Sequence, residues 1–260
     1  MIDEIVVSIQ QHATSVDKVR LFMDYDGTLA DFAPTPDVIQ VDQELVKIFS
    51  FLVHHEKYLP VVLSGRSLQH LRSLLPIPGL MKAGLYGLEI ELPDGSLYSR
   101  GEYTRVRPLM EKLLPRWQNL LDGQNGFFLE DKGWSLALHA RFASREDAQR
   151  VLALAHAEIK KLEPGSEFAV EYRPRFLEIA PLEASKKRSV EFILERFTPA
   201  GALPVYIGDD LNDEEAFSAI LEASGICVRV GQHSMPTRAQ FSLETPAHVR
   251  QMLTALAEIR

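Results

Sequence analysis

Apolar residues at Ile2, Ile5, Val6 and Ile9 recur at helical spacing, so the chain opens on a short amphipathic helix. The run Val19-Arg-Leu-Phe-Met then predicts a strand over 19–24. Leu45, Ile48, Phe49, Leu52 and Val53 return to a helical period, with Asp42 placed to cap it, and a second strand is expected over 59–63. Strand, helix, strand in this order predicts a parallel sheet. A third strand over 82–92 runs into Pro93-Asp94-Gly95, a turn signal that folds it back onto 97–99.

The pattern changes after Gly101. A helix over 104–121, strands over 127–131 and 134–141, a helix over 144–162 and strands over 167–172 and 175–180 predict a small antiparallel sheet with helices on one face. Beyond Pro181 the alternation resumes, with helix 186–196, strand 204–208, helix 213–223 and strand 226–230. The expected organisation is an α/β core built from 1–102 and 182–260, interrupted by an α+β domain at 103–181.

Charge and cysteine content narrow the classes. A formal net charge of −8 argues against a general nucleic-acid binder, which needs a basic surface. Cys227 is the only cysteine, so no intrachain disulfide can form and a reducing compartment is expected. It lies in Gly-Ile-Cys-Val-Arg-Val, which reads as a buried strand and favours a packing role over a reactive thiol. No apolar run reaches the roughly 20 residues of a membrane span, and Asp3 and Glu4 stand where an export signal carries positive charge, so the expected location is the cytoplasm.

The chemistry concentrates at strand ends. Asp24 and Asp26 follow the first strand one residue apart, and two anions that close repel unless a cation or proton offsets them. A pair at the carboxyl end of a parallel strand suits Mg²⁺, which prefers oxygen ligands, while Asp26-Gly27 alone reads equally as a turn. A second acidic cluster, Gly208-Asp209-Asp210-Leu-Asn212-Asp213-Glu214-Glu215, follows the strand Val205-Tyr-Ile. Glu214 and Glu215 are accounted for by the helix dipole, whereas Asp209 and Asp213 ask for more.

Ser64-Gly65-Arg66 puts a hydroxyl and backbone amides after another strand, at an expected helix start. There Ser64 is either an N-cap or an anion ligand. Lys186 opens the helix after Pro181, where the dipole disfavours a cation; it is either a solvated lysine or a charge aimed at a phosphate. In the inserted segment, the two-residue period sends Ser135, Ala137, His139 and Arg141 to one face and Trp134, Leu136 and Leu138 to the other. If its strands share a sheet, Glu130, Lys132, His139, Arg141 and Glu178 line one polar surface, which suits either plain solvation or a ligand rich in hydroxyls.

Asp24-Tyr-Asp26-Gly-Thr28, Ser64, Lys186 and Gly208-Asp209-Asp210 with Asp213, in this order, resemble the haloacid dehalogenase superfamily of phosphotransferases. The resemblance implies a Rossmann-like core with an inserted α+β cap that selects the leaving group. It implies Asp24 as nucleophile forming an aspartyl-phosphate, and Asp26 as the acid and base. It also implies Mg²⁺ on Asp24, the Asp26 carbonyl and Asp209; phosphoryl contacts from Ser64 and Lys186, with Thr28 and Arg66 on the substrate side; and Asp210 and Asp213 in support.

Leu129-Glu130-Asp131-Lys132-Gly133-Trp-Ser-Leu, His139-Ala-Arg141, Leu177-Glu178-Ile179-Ala-Pro181 and the run from Gly208 to Phe217 narrow the likeness to the trehalose-6-phosphate phosphatase family, over most of residues 18–218. That implies Glu130, Lys132 and Glu178, with His139 and Arg141, on the distal glucose unit. The implied partner is a small sugar phosphate; with no nucleic acid or membrane partner expected from charge and hydropathy, the expected state is a monomer or weak oligomer. The sequence departs from the family at Gly84-Leu85-Tyr86-Gly87, where Asn-His is usual between the glycines, at Asn212, where Thr is common, and at Lys187, where Gly is usual. Close alternatives are a phosphatase of sucrose phosphate or a glycosyl-3-phosphoglycerate, and, from another class, a non-catalytic sugar-phosphate sensor.

Overall fold

The computed structural model describes residues 2–32, 40–231 and 236–258. The chain forms two compact units, Met1–Ser99 with Ser185–Arg260, and Arg100–Ala184. The elements of the first stretch are α1 (Ile2–Ala13), β1 (Val19–Met23), α2 (Gln43–Leu52), β2 (Tyr58–Leu63), α3 (Leu68–Leu74), β3 (Met81–Gly84), β4 (Glu89–Glu91) and β5 (Leu97–Ser99). The middle stretch holds α4 (Tyr103–Leu121), β6 (Phe128–Asp131), β7 (Leu136–His139), α5 (Arg145–Lys161), β8 (Phe168–Arg173) and β9 (Phe176–Pro181). The last stretch holds α6 (Lys186–Phe197), β10 (Leu203–Gly208), α7 (Leu211–Glu222), β11 (Ile226–Val230), β12 (Phe241–Leu243) and α8 (Pro246–Ala257).

The first unit is built on an eight-stranded sheet in the order β12-β11-β10-β1-β2-β3-β4-β5, parallel from β12 to β3 and closed by the antiparallel β4–β5 hairpin. Every residue of β1 is buried, as a strand covered on both faces requires. Alternation then divides it: Leu21 and Met23 pack with Ile5, Phe49 and Leu253, while Phe22 packs with Val190, Phe217 and Ile220. Helices therefore cover both faces, and the chain returns across β1 so that β2 and β10 flank it.

The second unit is a four-stranded antiparallel sheet, β6-β7-β9-β8, with α4 and α5 on one face. Leu136, Leu138, Leu177 and Ile179 are buried, and the Trp117 indole on α4 donates to Ala155 O at 3.0 Å.

Several expectations shift. The strand expected over 82–92 breaks after Gly84, because Leu85 and Tyr86 take left-handed φ of 53° and 54°. The helix expected to start at Ser64 starts at Leu68, capped by Ser67, whose side chain accepts from His70 N. α7 begins two residues before the expected 213, because Asp210 caps it and places Asp213 inside its first turn. β7 stops at His139, which leaves Arg141 beyond the strand and exposed. β12 and α8 have no counterpart in the sequence reading, although Thr245-Pro246 is a helix-start signal and Val249, Met252, Leu253 and Leu256 follow helical spacing.

Candidate active site

Four neighbouring parallel strands, β10, β1, β2 and β3, end side by side, and the residues after them are Asp209, Asp24, Ser64 and Leu85. The register holds them level: Met23 is paired with both Ile207 and Val62, and Leu63 with Ala83. Carboxyl ends where the strand order turns back are where open α/β sheets bind ligands.

Lys186 is the centre of the charge arrangement. Its Nζ lies 2.9 Å from Asp24 Oδ1, 2.6 Å from Asp213 Oδ1 and 3.7 Å from Asp210 Oδ1, and it is 3% exposed. The surrounding carboxylates explain a cation at a helix start, since close charge pairs in a buried site outweigh a dipole effect of about 0.3–1 kcal/mol. Lys187, one residue on, faces Glu191 and Glu222 at the surface.

Asp213 is fully engaged: Lys186 and the Tyr206 hydroxyl donate to Oδ1, and the amides of Asp209 and Asp210 donate to Oδ2. Its closeness to the end of β10 demands glycine at 208, where a Cβ would stand 2.3 Å from Asp213 Cγ. Asp213 therefore positions Lys186 and the Asp209-Asp210 backbone. The Tyr206 hydroxyl gives no sequence signal, because Val-Tyr-Ile reads as a buried strand.

Four carboxylates against one ammonium leave an excess of negative charge. Burial pushes Asp24 well above the usual carboxylate range; Lys186 opposes this, and Asp213, Asp210 and Asp209 add to it. Burial, then Asp213 and Asp210, push Asp209 up to about 6. Burial alone would lower Lys186, but Asp213 and Asp24 outweigh it and hold the ammonium well above its ordinary value.

Asp24, Asp209 and Asp213 offer oxygens within 4.8 Å of one another. With Asp213 saturated, the spare acceptor capacity lies on Asp24 and Asp209. All-oxygen donors with surplus negative charge fit a hard divalent cation. The loop after β1 lets Asp209 approach closely: Gly27 has φ +84, and a Cβ there would stand 2.4 Å from Asp209 Oδ2.

Thr28 and Arg66, expected by resemblance on the substrate side, each engage an aspartate of the site. Thr28 is buried and donates its hydroxyl proton to Asp209 Oδ1 at 3.0 Å, steadying that carboxylate. Arg66 grips Asp26 with two parallel bonds, Nε to Oδ2 and Nη2 to Oδ1, both 2.7 Å. The Asp26 side chain thus belongs with Arg66, apart from the cluster of Asp24, Asp209 and Asp213. Ser64 caps no helix: its buried Oγ accepts from Arg66 N at 3.1 Å.

Glu214 does more than favour the helix dipole, the role expected of it. It is buried, accepts from Arg229 Nη1 at 2.6 Å and from Arg238 N at 2.9 Å, and so ties α7 to β11 and to the segment before β12. Cys227 is a packing residue: burial pushes its thiol up to about 12, and Sγ lies 3.6 Å from Phe217 O.

In the second unit, the helix-free face of the sheet carries a separate polar cluster. Lys132 Nζ and Ser135 Oγ both donate to Glu178 Oε1, at 3.0 and 2.8 Å, and the His139 ring lies 3.1 Å from Glu130 Oε2. Burial alone would lower Lys132, but Glu178 and Glu130 hold it above the ordinary lysine value. His139 is flanked by Phe128 and Phe176, with ring centroids at 5.8 and 5.1 Å.

Comparison with known proteins identifies the family. Residues 22–247 match the family model described as trehalose-phosphatase. A Mycobacterium tuberculosis protein named an uncharacterized glycosyl hydrolase is 31% identical over 91% of this chain and 18% of its own length. The trehalose-phosphate phosphatase of Mycobacterium avium is 30% identical over 92% of this chain and 62% of its own. This chain therefore spans less than two thirds of either relative. The C-terminal domain of Candida albicans trehalose-6-phosphate phosphatase superposes with a TM-score of 0.82 at 19% identity, covering 98% of this chain and 97% of that one. The fold is that of haloacid dehalogenase-like hydrolases, and the chain belongs to the trehalose-phosphatase family.

Proposed function

We propose that the protein is a divalent-metal-dependent phosphatase that hydrolyses trehalose 6-phosphate to trehalose and phosphate. The observation that supports this most directly is the buried cluster of Asp24, Lys186 and Asp209 at the carboxyl ends of β1 and β10, with Ser64 beside it at the end of β2. Family membership supports the substrate.

In this reading the Asp24 carboxylate attacks phosphorus, the bond from phosphorus to the sugar oxygen breaks, and Asp26 gives that oxygen a proton. Asp26 then takes a proton from the water that attacks the aspartyl-phosphate, releasing phosphate and restoring Asp24. Both Asp26 oxygens face Arg66, an arrangement suited to the second step; the first requires one oxygen to leave the guanidinium. Lys186 and the Ser64 hydroxyl take phosphoryl oxygens, and Asp213 with Tyr206 keeps Lys186 aimed.

Asp24, Asp209 and the Asp26 carbonyl would hold Mg²⁺, which when bound offsets the repulsion between an anionic nucleophile and an anionic phosphoryl group. Lys132, Glu130 and Glu178 offer donors and acceptors to the sugar, and His139 holds Glu130.

The test is phosphate release from trehalose 6-phosphate, sucrose 6-phosphate and glucosyl-3-phosphoglycerate, with Mg²⁺ and with a chelator. The expected result is preferred turnover of trehalose 6-phosphate that the chelator abolishes. A different preferred sugar would remove the substrate assignment, and no release from any of the three would favour the silent sensor.

A further inference from the structure

The row of strand ends that carries Asp209, Asp24 and Ser64 continues onto β3. Leu85 and Tyr86, which follow it, both hold left-handed backbone. Neither residue has the missing Cβ or the short polar side chain that suits this region. Such backbone persists only where its surroundings over-determine it, and it concentrates at functional sites.

Here the surroundings are the site itself. Leu85 N donates to Arg66 O at 2.8 Å and Tyr86 N to Ser64 O at 2.9 Å, so the turn is bound to both neighbours of Gly65. On its other side Tyr86 O accepts from Ser189 Oγ, on α6 within one turn of Lys186. The ring lies on Gly65, where a Cβ would stand 2.7 Å from Tyr86 Cζ and 2.8 Å from its Oη. Leu85 is buried and anchors the turn, while the Tyr86 side chain is only half-buried. Strained backbone thus fixes a phenol beside Ser64 and Arg66.

We propose that Tyr86 is a specificity-determining residue of the phosphatase and contacts the sugar next to the phosphoryl group. The inference rests on the function proposed above. A phenol offers an apolar ring to a pyranose face and one hydroxyl to its hydroxyls, and a small aryl leaving group has no hydroxyl to take the second contact.

Steady-state kinetics of the full chain with Mg²⁺, on trehalose 6-phosphate and on p-nitrophenyl phosphate, test this in wild type, Tyr86→Phe and Tyr86→Leu. Tyr86→Phe keeps the ring on Gly65 and removes only the hydroxyl. Its KM for trehalose 6-phosphate is expected to rise about fivefold to tenfold, the loss of one neutral hydrogen bond, with kcat and the aryl phosphate constants unchanged. Tyr86→Leu is expected to raise that KM further. A Phe variant equal to wild type on both substrates, or variants impaired equally on both, would overturn the assignment and leave the phosphatase reading standing. Wild type that hydrolyses no sugar phosphate would bring down both.

Discussion

Asp24 and Lys186 are each almost inaccessible to water, and each is tolerable there because of the other. Position at element ends marks both, along with Asp209 and Asp213, as candidates, and the order of these motifs, through its resemblance to a known superfamily, singles them out. Asp24→Asn keeps the size of the side chain and removes its charge, so turnover of trehalose 6-phosphate should fall by at least about 10⁴-fold, as when other enzymes lose a nucleophile. Thermal unfolding should move little, since Lys186 retains Asp213 at 2.6 Å. An Asn variant with near-native rates would remove Asp24 from the nucleophile's role.

At the scale of elements, two serines three residues apart have separate work. Ser67 caps α3, and Ser67→Ala should cost about 1 kcal/mol in denaturant unfolding with turnover unchanged. Ser64→Ala should do the reverse, lowering turnover with little change in stability, because Ser64 belongs to the strand end and not to the helix. Identical stability losses in the two variants would contradict this division. Glu214 offers a sharper contrast of magnitudes. An acidic residue serving only the helix dipole contributes about 0.3–1 kcal/mol. A buried partner of Arg229, whose Nε has no hydrogen-bond partner among the described residues, should cost about 3–5 kcal/mol when replaced by Ala, because the buried cation then loses its carboxylate. Chemical denaturation of Glu214→Ala decides between these values.

For the whole molecule, the proposed function assigns bond breaking to one unit and recognition of the distal sugar to the other. Glu130→Ala should then raise KM for trehalose 6-phosphate by about 10- to 100-fold, the loss of hydrogen bonds to a charged acceptor, and leave hydrolysis of p-nitrophenyl phosphate unchanged. Equal losses on both substrates would show that the cluster around Lys132 only supports the fold. In that reading a net charge of −8 does not bar an anionic substrate: a bound cation, with Lys186, would offset the surplus of carboxylates locally, and the overall field is not required to attract it.

Much of this was legible in the sequence because it is local. Hydrophobic period set the alternation of helices and strands, and the acidic motifs fell at strand ends because the apolar runs stop there. The inserted sheet and its polar face followed from a two-residue period. Signals that were weak locally were lost: the short β12, the break after Gly84 and the true start of α3.

The sequence by itself determined which chemical groups stand at which strand ends, since period and turn residues act over a few positions. Tertiary structure alone decided which groups meet. Strand order and register bring Arg66 onto Asp26, 40 residues away, and Lys186 onto Asp213, 27 residues away. They also set Tyr206 against Asp213, Glu214 against Arg229 and the Tyr86 ring over Gly65. Such meetings depend on how distant segments pack, and no periodicity along the chain carries that information.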